Sequence, residues 1–393
     1  MTVRTPLLLT LLALPAAAGA AVVGLRWLDA PTPFAALGTV PVETLSRGAS
    51  PPLRVETLVG GLDTPWDLAW GPDDHLWVSE RPGRISRVDP ATGAIALVGR
   101  LEVFETGESG LMGLAFHPDF AREPWVYAVH TYGGRGRMRN QLVRMRFDGE
   151  RLGSPEVLLN EIPGQWNHDG SRLAVGPDRL LYMTTGDAGQ ADLAHDLGSL
   201  AGKILRLTLE GEPAPDNPFG SAVYSWGHRN PQGLAFHPST GLLYSAEHGP
   251  GTDDEVNLIR EGEDYGWPEV RGYCDGASRT EERYCREHEV VEPLAAWTPT
   301  VGIAGLDVYT GGLVPEWDGD LLVTSLRGAS LFHLDLSDDG RRVVDREAVI
   351  RGQYGRLRDV LVGPEGEIYV ATSNRDGRGD PAEDDDRILV LRP

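Results

Sequence analysis

One phrase recurs six times along this chain, and that recurrence leaves few folds open. It begins at Gly71 (GPDDHLWVSERPGRISRVDP), His117 (HPDFAREPWVYAVHT), Gly176 (GPDRLLYMTTGDAG), His237 (HPSTGLLYSAEHGP), Trp317 (WDGDLLVTSLRGASLFHLDL) and Gly363 (GPEGEIYVATSNRDGRG). Each copy is a turn signal, an alternating apolar strand and a Gly-rich or polar exit. Pro-Asp and Asp-Gly set the turn, and the alternation buries one face of the strand. Most copies lead into a second strand, such as ISRVDP or KILRLTL. Units that recur at tens of residues stack around an axis to bury what none can bury alone. The expected fold is all-β, a six-bladed β-propeller over residues 53–393.

Charge narrows the partners. The 393 residues carry 58 acidic and 36 Lys or Arg side chains, a formal charge of -22. Such a surface repels phosphate backbones, so nucleic acid is not an expected partner. Residues 1–25, with MTVRTPLLLTLLALPAAAGA, read as a secretory signal or an uncleaved N-terminal membrane anchor. Residues 26–52 read as a linker. The protein is therefore expected to be exported: periplasmic, secreted or anchored to the outer face of the membrane. In that setting Cys274 and Cys285, closing GYCDGASRTEERYC, are expected to pair as a disulfide. Two cysteines alone make no zinc site.

A propeller gathers its strand exits at one mouth of the central channel. After the third copy stands Asp187; after the fourth, Glu247-His248-Gly249-Pro250; after the fifth, Arg327. His168 and Arg229 lie between them, and Arg356 and Arg358 precede the sixth. Four arginines in so acidic a chain suggest a pocket for a small polyanion. A lone histidine is usually structural, but Asp187 in the same repeat could hold one ring nitrogen and leave the other to take a proton. Asp187 in TTGDAG is equally a turn cap. Arg356 and Arg358 alternate on a strand and share a face, either exposed to solvent or around an anion. Arg229, Asn230 and Gln232 are donors suited to carbonyl and carboxylate oxygens. The Glu247–Pro250 corner offers carbonyls to a hard cation such as calcium, and Asp253–Asn257 adds carboxylates; a surface acidic turn is the plainer reading. DPAEDDD, Asp380 to Asp386, reads as a solvated charged loop.

Assembled, these motifs resemble the soluble glucose/aldose sugar dehydrogenases that use pyrroloquinoline quinone (PQQ). The resemblance rests on GHRNPQGLAFHP followed by EHGP, DDEVNLI and DYGWPEV. GESGLMGLAFHPDF, the His before SRLAVGPD, LAGKILRL with DNPF, and RLRDV add to it in the same order, across 53–393. It implies a six-bladed propeller with His168 as general base and Asp187 as the carboxylate orienting it. It places Arg229 and Asn230 at the cofactor's reactive carbonyl, and Thr300, Arg327, Arg356 and Arg358 around the rest of the cofactor. It assigns the carbonyls of Gly249 and Pro250 to a calcium ion, and Glu255, Tyr265 and Asp275 to a second, structural calcium. Glu108 and Asn167 fall on the sugar side. The three carboxylates of PQQ would explain the arginines.

The implied reaction moves a hydride from C1 of an aldose to the quinone, with His168 removing the hydroxyl proton, and yields a lactone. The chain has no CxxCH haem motif, so an external electron acceptor is expected. Monomer and homodimer both fit. Four positions depart from the family: Arg327 for Lys, Glu108 for Gln, Asn167 for Asp and His195 for Gln. Two other functions stay open at this level: a non-catalytic propeller binding carbohydrate or protein, and a calcium-dependent propeller lactonase.

Overall fold

The recurring phrase closes the first hairpin of a blade. Gly71, Gly176 and Gly363 donate their N–H to the carbonyls of His75, Leu180 and Glu367 at 2.8, 2.9 and 2.7 Å. Each stands ahead of an aromatic, Trp77, Tyr182 or Tyr369, that packs back over it. A methyl group at Gly176 would sit 2.8 Å from Tyr182 Cε2, and one at Gly363 2.9 Å from Tyr369 Cε2. Glycine is therefore fixed by the close approach of the ring.

The computed structural model describes Met1 and residues 53–393. The signal or anchor read in 1–25 and the linker 26–52 otherwise lie outside the described residues. Six four-stranded antiparallel sheets follow one another around an axis, as expected. Their first strands are Pro65–Trp70, Leu111–Phe116, Leu173–Val175, Pro231–Phe236, Ile303–Val308 and Leu357–Val362. These six touch in sequence and line the channel. The ring closes when Arg54–Val59 pairs antiparallel with Ile388–Arg392 as the outer strand of the sixth blade.

Between blades the packing is aromatic and aliphatic. Trp77, fully buried, meets Phe116 and Phe147 edge to face at 5.2 and 5.1 Å. In the channel, inner-strand carboxylates latch neighbouring blades. Asp359 accepts the N–H of Leu68 at 2.7 Å, Asp67 that of Leu114 at 2.6 Å, and Asp307 that of Val362 at 2.8 Å. Arg172 lies among them, donating to Asp67, to both oxygens of Asp359 and to the Gln232 carbonyl.

Two sequence expectations need correction. Asp380–Asp386 is not wholly solvated: Asp385 and Asp386 are buried. Asp386 takes the N–H groups of Thr64 and Asn374, so it ties the closing hairpin to the first blade. Asp254, read as a calcium ligand or a surface carboxylate, is fully buried. Its Oδ2 takes the N–H groups of Val301, Gly302 and Ile303 at 2.7, 2.5 and 3.1 Å. A buried carboxylate saturated by backbone donors is a structural tie, here between blades four and five.

Cys274 and Cys285 are disulfide-bonded, as expected, across the segment that carries the helix Arg279–Glu287. No helix among the described residues is long and apolar enough to cross a membrane.

Candidate active site

The end of each second strand and the start of each first strand open on the same mouth, and His168, Asp187, Arg229, Asn230 and Glu108 meet there. Thr185 ends a strand and Gly186-Asp187 follows. The preceding loop brings His168 back over that exit in a left-handed conformation, φ 59°. Gly186 must be glycine, because a Cβ there would strike the His168 carbonyl oxygen. His168 Nδ1 then lies 2.8 Å from Asp187 Oδ1. Asp187 is locked from three sides. Its Oδ1 also accepts from Gly189 N at 2.7 Å, and its Oδ2 from Trp267 Nε1 at 2.9 Å.

Arg229 stands beside this pair. Its carbonyl accepts the Asp187 N–H at 2.8 Å. Its Nη1 donates to the carbonyls of His248 and Gly249 at 2.7 and 3.0 Å. Its guanidinium lies 5.3 Å from the centre of the Trp267 ring. Its Nε is buried without a partner. Burial lowers the Arg229 pKa, against the pull of Asp187 and Glu247. Asn230 is fully buried and holds the Gly170 N–H at 3.1 Å.

Glu108 joins several of these groups. Its Oε2 faces His168 N at 3.3 Å and the amide nitrogens of Asn230 and Gln232 at 3.4 Å each. Its Oε1 takes Arg378 Nη1 at 2.8 Å. Burial alone would raise its pKa, but Arg378, Arg358 and His168 together bring it down to about 2. Glu108 is thus an ionised, acceptor-only group in the pocket. Asn167 is half-buried next to His168.

The remaining arginines differ in occupation. Arg358 is buried and donates to Gln232 Oε1 at 2.8 Å. Burial holds its pKa down to about 10, against Glu108 and Asp376. Arg356 is paired with Asp376 through Nε and Nη2 at 2.9 and 2.7 Å, so the protein itself supplies the anion beside it. Arg327 is exposed, and Thr300 is buried with its N–H on the Gly251 carbonyl at 3.2 Å.

Arg229, whose buried Nε is unpartnered, and the buried Arg358 are donors of the kind a small polycarboxylate such as PQQ needs. A calcium ion would have to rest on carbonyls rather than on clustered side chains. Among the described residues no three His, Cys, Asp or Glu side chains are grouped to hold a metal. The Gly249 carbonyl opens on the site, while Pro250 is exposed beside it.

For the second calcium, the residues separate. Burial and the charge of Glu247 push the Glu255 pKa up to about 8. Asn257 Oδ1 and Ser245 Oγ, from the same sheet face, are buried without partners. That oxygen-rich group suits a hard cation. The Tyr265 hydroxyl, however, is committed to the Leu258 carbonyl and the Arg260 N–H at 2.8 Å each. Asp275 is exposed and caps Ala277 N at 3.1 Å.

Sequence reasoning passed over Arg378 and Trp267. Arg378 lies in SNRDGRG, an exit of the sixth phrase, and the same rule that found Arg327 would have found it. Trp267 lies in DYGWPEV, where nothing in the pattern shows that the indole points at Asp187. His195 stacks on Tyr284 at 5.3 Å and lies 3.3 Å from Glu269.

Known proteins resemble this chain over most of its length. Residues 62–389 match the family model described as glucose / sorbosone dehydrogenase. The chain is 30% identical to quinoprotein glucose dehydrogenase B of Acinetobacter calcoaceticus, over 90% of this chain and 95% of that one. It is 30% identical to an aldose sugar dehydrogenase of Escherichia coli, over 83% and 91%. The PQQ-bound aldose sugar dehydrogenase of Streptomyces coelicolor superposes with a TM-score of 0.76 at 39% identity, over 88% of this chain and 99% of that one. The chain belongs to the glucose/sorbosone dehydrogenase family, the family its motifs resemble.

Proposed function

We propose that this protein is a PQQ- and calcium-dependent aldose dehydrogenase that oxidises the C1 hydroxyl of an aldose to a lactone. The observation that carries the reading is the His168–Asp187 pair at 2.8 Å beside the buried, incompletely partnered Arg229.

The quinone, when bound, supplies the two-electron acceptor for the C1 hydrogen. The chain supplies the rest. Asp187 holds His168 Nδ1, which leaves Nε2 as the ring nitrogen that takes the hydroxyl proton. The Asp187 charge stabilises the imidazolium that results. Arg229, Asn230, Thr300, Arg327, Arg356 and Arg358 would hold the cofactor, with Arg229 placing positive charge where its oxygen gains electron density. The carbonyls of Gly249 and Pro250 would hold calcium, the former beside Arg229 Nη1. Glu108 accepts hydrogen bonds from sugar hydroxyls, with Asn167 beside it. An external acceptor would then take the electrons. We place the protein outside the cytoplasm on the strength of residues 1–25 and the disulfide.

The test is reconstitution. The protein is prepared without quinone, PQQ and calcium are added separately and together, and dye reduction is followed over a panel of aldoses. Turnover should require both additions and vanish in His168→Ala. Absence of turnover with every aldose in the presence of both would overturn the reading.

A further inference from the structure

Trp267 touches both halves of the site. Its indole Nε1–H donates to Asp187 Oδ2 at 2.9 Å, and its ring face lies 5.3 Å from the Arg229 guanidinium. No other described side chain is hydrogen-bonded to Asp187 Oδ2, while Oδ1 serves His168 and Gly189.

The backbone fixes this placement. Residues 263–267 run alongside 226–227 through three hydrogen bonds. Trp226 N donates to the Glu263 carbonyl at 3.2 Å, Tyr265 N to Trp226 at 3.0 Å and Trp267 N to Gly227 at 3.0 Å. Asp264 secures the turn: its Oδ1 takes Gly266 N at 2.8 Å, and its Oδ2 takes the Tyr284 hydroxyl at 2.6 Å. Tyr284 precedes Cys285 of the disulfide. Arg229 follows two residues after Gly227, so one short ladder sets the indole against both Arg229 and Asp187.

We infer that Trp267 is a positioning residue that couples the base-orienting carboxylate to the cofactor-side arginine. Its N–H fixes the rotation of the Asp187 carboxylate, so that Oδ1 points at His168 Nδ1 and keeps the proton on that nitrogen. Its ring face offers Arg229 the attraction that no acceptor gives its buried Nε. Trp267 acts through Asp187 and Arg229 and is not itself catalytic. The inference rests on the dehydrogenase reading only for its consequence in turnover.

The test is proton NMR of the quinone-free protein, where the His168 Nδ1–H held by Asp187 gives a downfield resonance identified by its absence in His168→Asn. Trp267→Phe keeps a ring and removes the donor. It should shift that resonance and speed its exchange with solvent. In the reconstituted enzyme it should lower kcat about tenfold and leave sugar KM within about twofold. Trp267→Leu, which also removes the ring face, should weaken PQQ binding by about threefold or more. An unmoved Nδ1–H resonance in folded Trp267→Phe would overturn the inference. If that variant does not fold, the wild-type indole N–H decides: slow deuterium exchange supports the bond, and exchange as fast as that of a free indole overturns it. A shifted resonance without quinone-dependent turnover would uphold the positioning role and reject the dehydrogenase.

Discussion

Among the described residues, the arginine and carboxylate groups of the channel and those of the mouth differ in how completely they are satisfied. In the channel, Arg172 has every nitrogen occupied, by Asp67, Asp359 and the Gln232 carbonyl, and it lies 4.7 Å from the Trp66 ring. The surrounding carboxylates hold Arg172 charged in spite of its burial, which taken alone would lower its pKa. At the mouth, Arg229 has an orphaned Nε, Arg327 is exposed, and the buried Arg358 is held down to about 10. A saturated cluster has nothing left to offer a ligand. An unsaturated one is a cost in the free protein that a bound anion removes. The channel therefore reads as structure and the mouth as a binding site, although both are built from the same residue types.

Substitutions can break this contrast, and the largest effect falls in the channel. Arg172→Leu leaves Asp67 and Asp359 buried without their cation and should cost about 3–5 kcal/mol of stability, read by denaturant unfolding. At the mouth, Arg327→Ala should leave unfolding within about 0.5 kcal/mol. It should weaken PQQ about tenfold, as expected for one lost charge-assisted hydrogen bond. Equal destabilisation by the two substitutions would erase the distinction. His168→Ala sharpens it from the chemical side: turnover should fall by about 10²–10⁴-fold with PQQ affinity retained.

The smallest effect concerns pH. The Glu108 pKa is depressed from 4.5 to about 2 in the folded protein by Arg378, Arg358 and His168, against its burial. A depressed carboxylate contributes stability that is present above the unfolded pKa and lost as pH falls toward the folded one. Part of the acid unfolding between about pH 4.5 and 2 should therefore disappear in Glu108→Gln. An acid limb identical in the two proteins would show that Glu108 is not held by these cations.

The contrast also explains what the sequence made legible. The repeat announced the blades, because alternation and turn chemistry are local. The phrase exits announced the mouth, because propeller geometry gathers them, and Asp187 stands at such an exit with His168 and Arg229 in the segments between. Saturation was not legible. Asp254 and Asp386 read as available carboxylates, yet backbone N–H groups from distant strands occupy them. Nor could the pattern show that Arg378 reaches Glu108 across 270 residues of chain. Residue type and spacing place a group at a mouth; only packing decides whether its hydrogen bonds are already taken.

The most direct measurement is a titration of PQQ into the calcium-loaded protein, followed by calorimetry, for the wild type and Arg229→Ala. An unsaturated mouth predicts binding at one quinone per chain, weakened at least about tenfold in Arg229→Ala while the fold is retained. No binding in the wild type, or binding indifferent to Arg229, would contradict it.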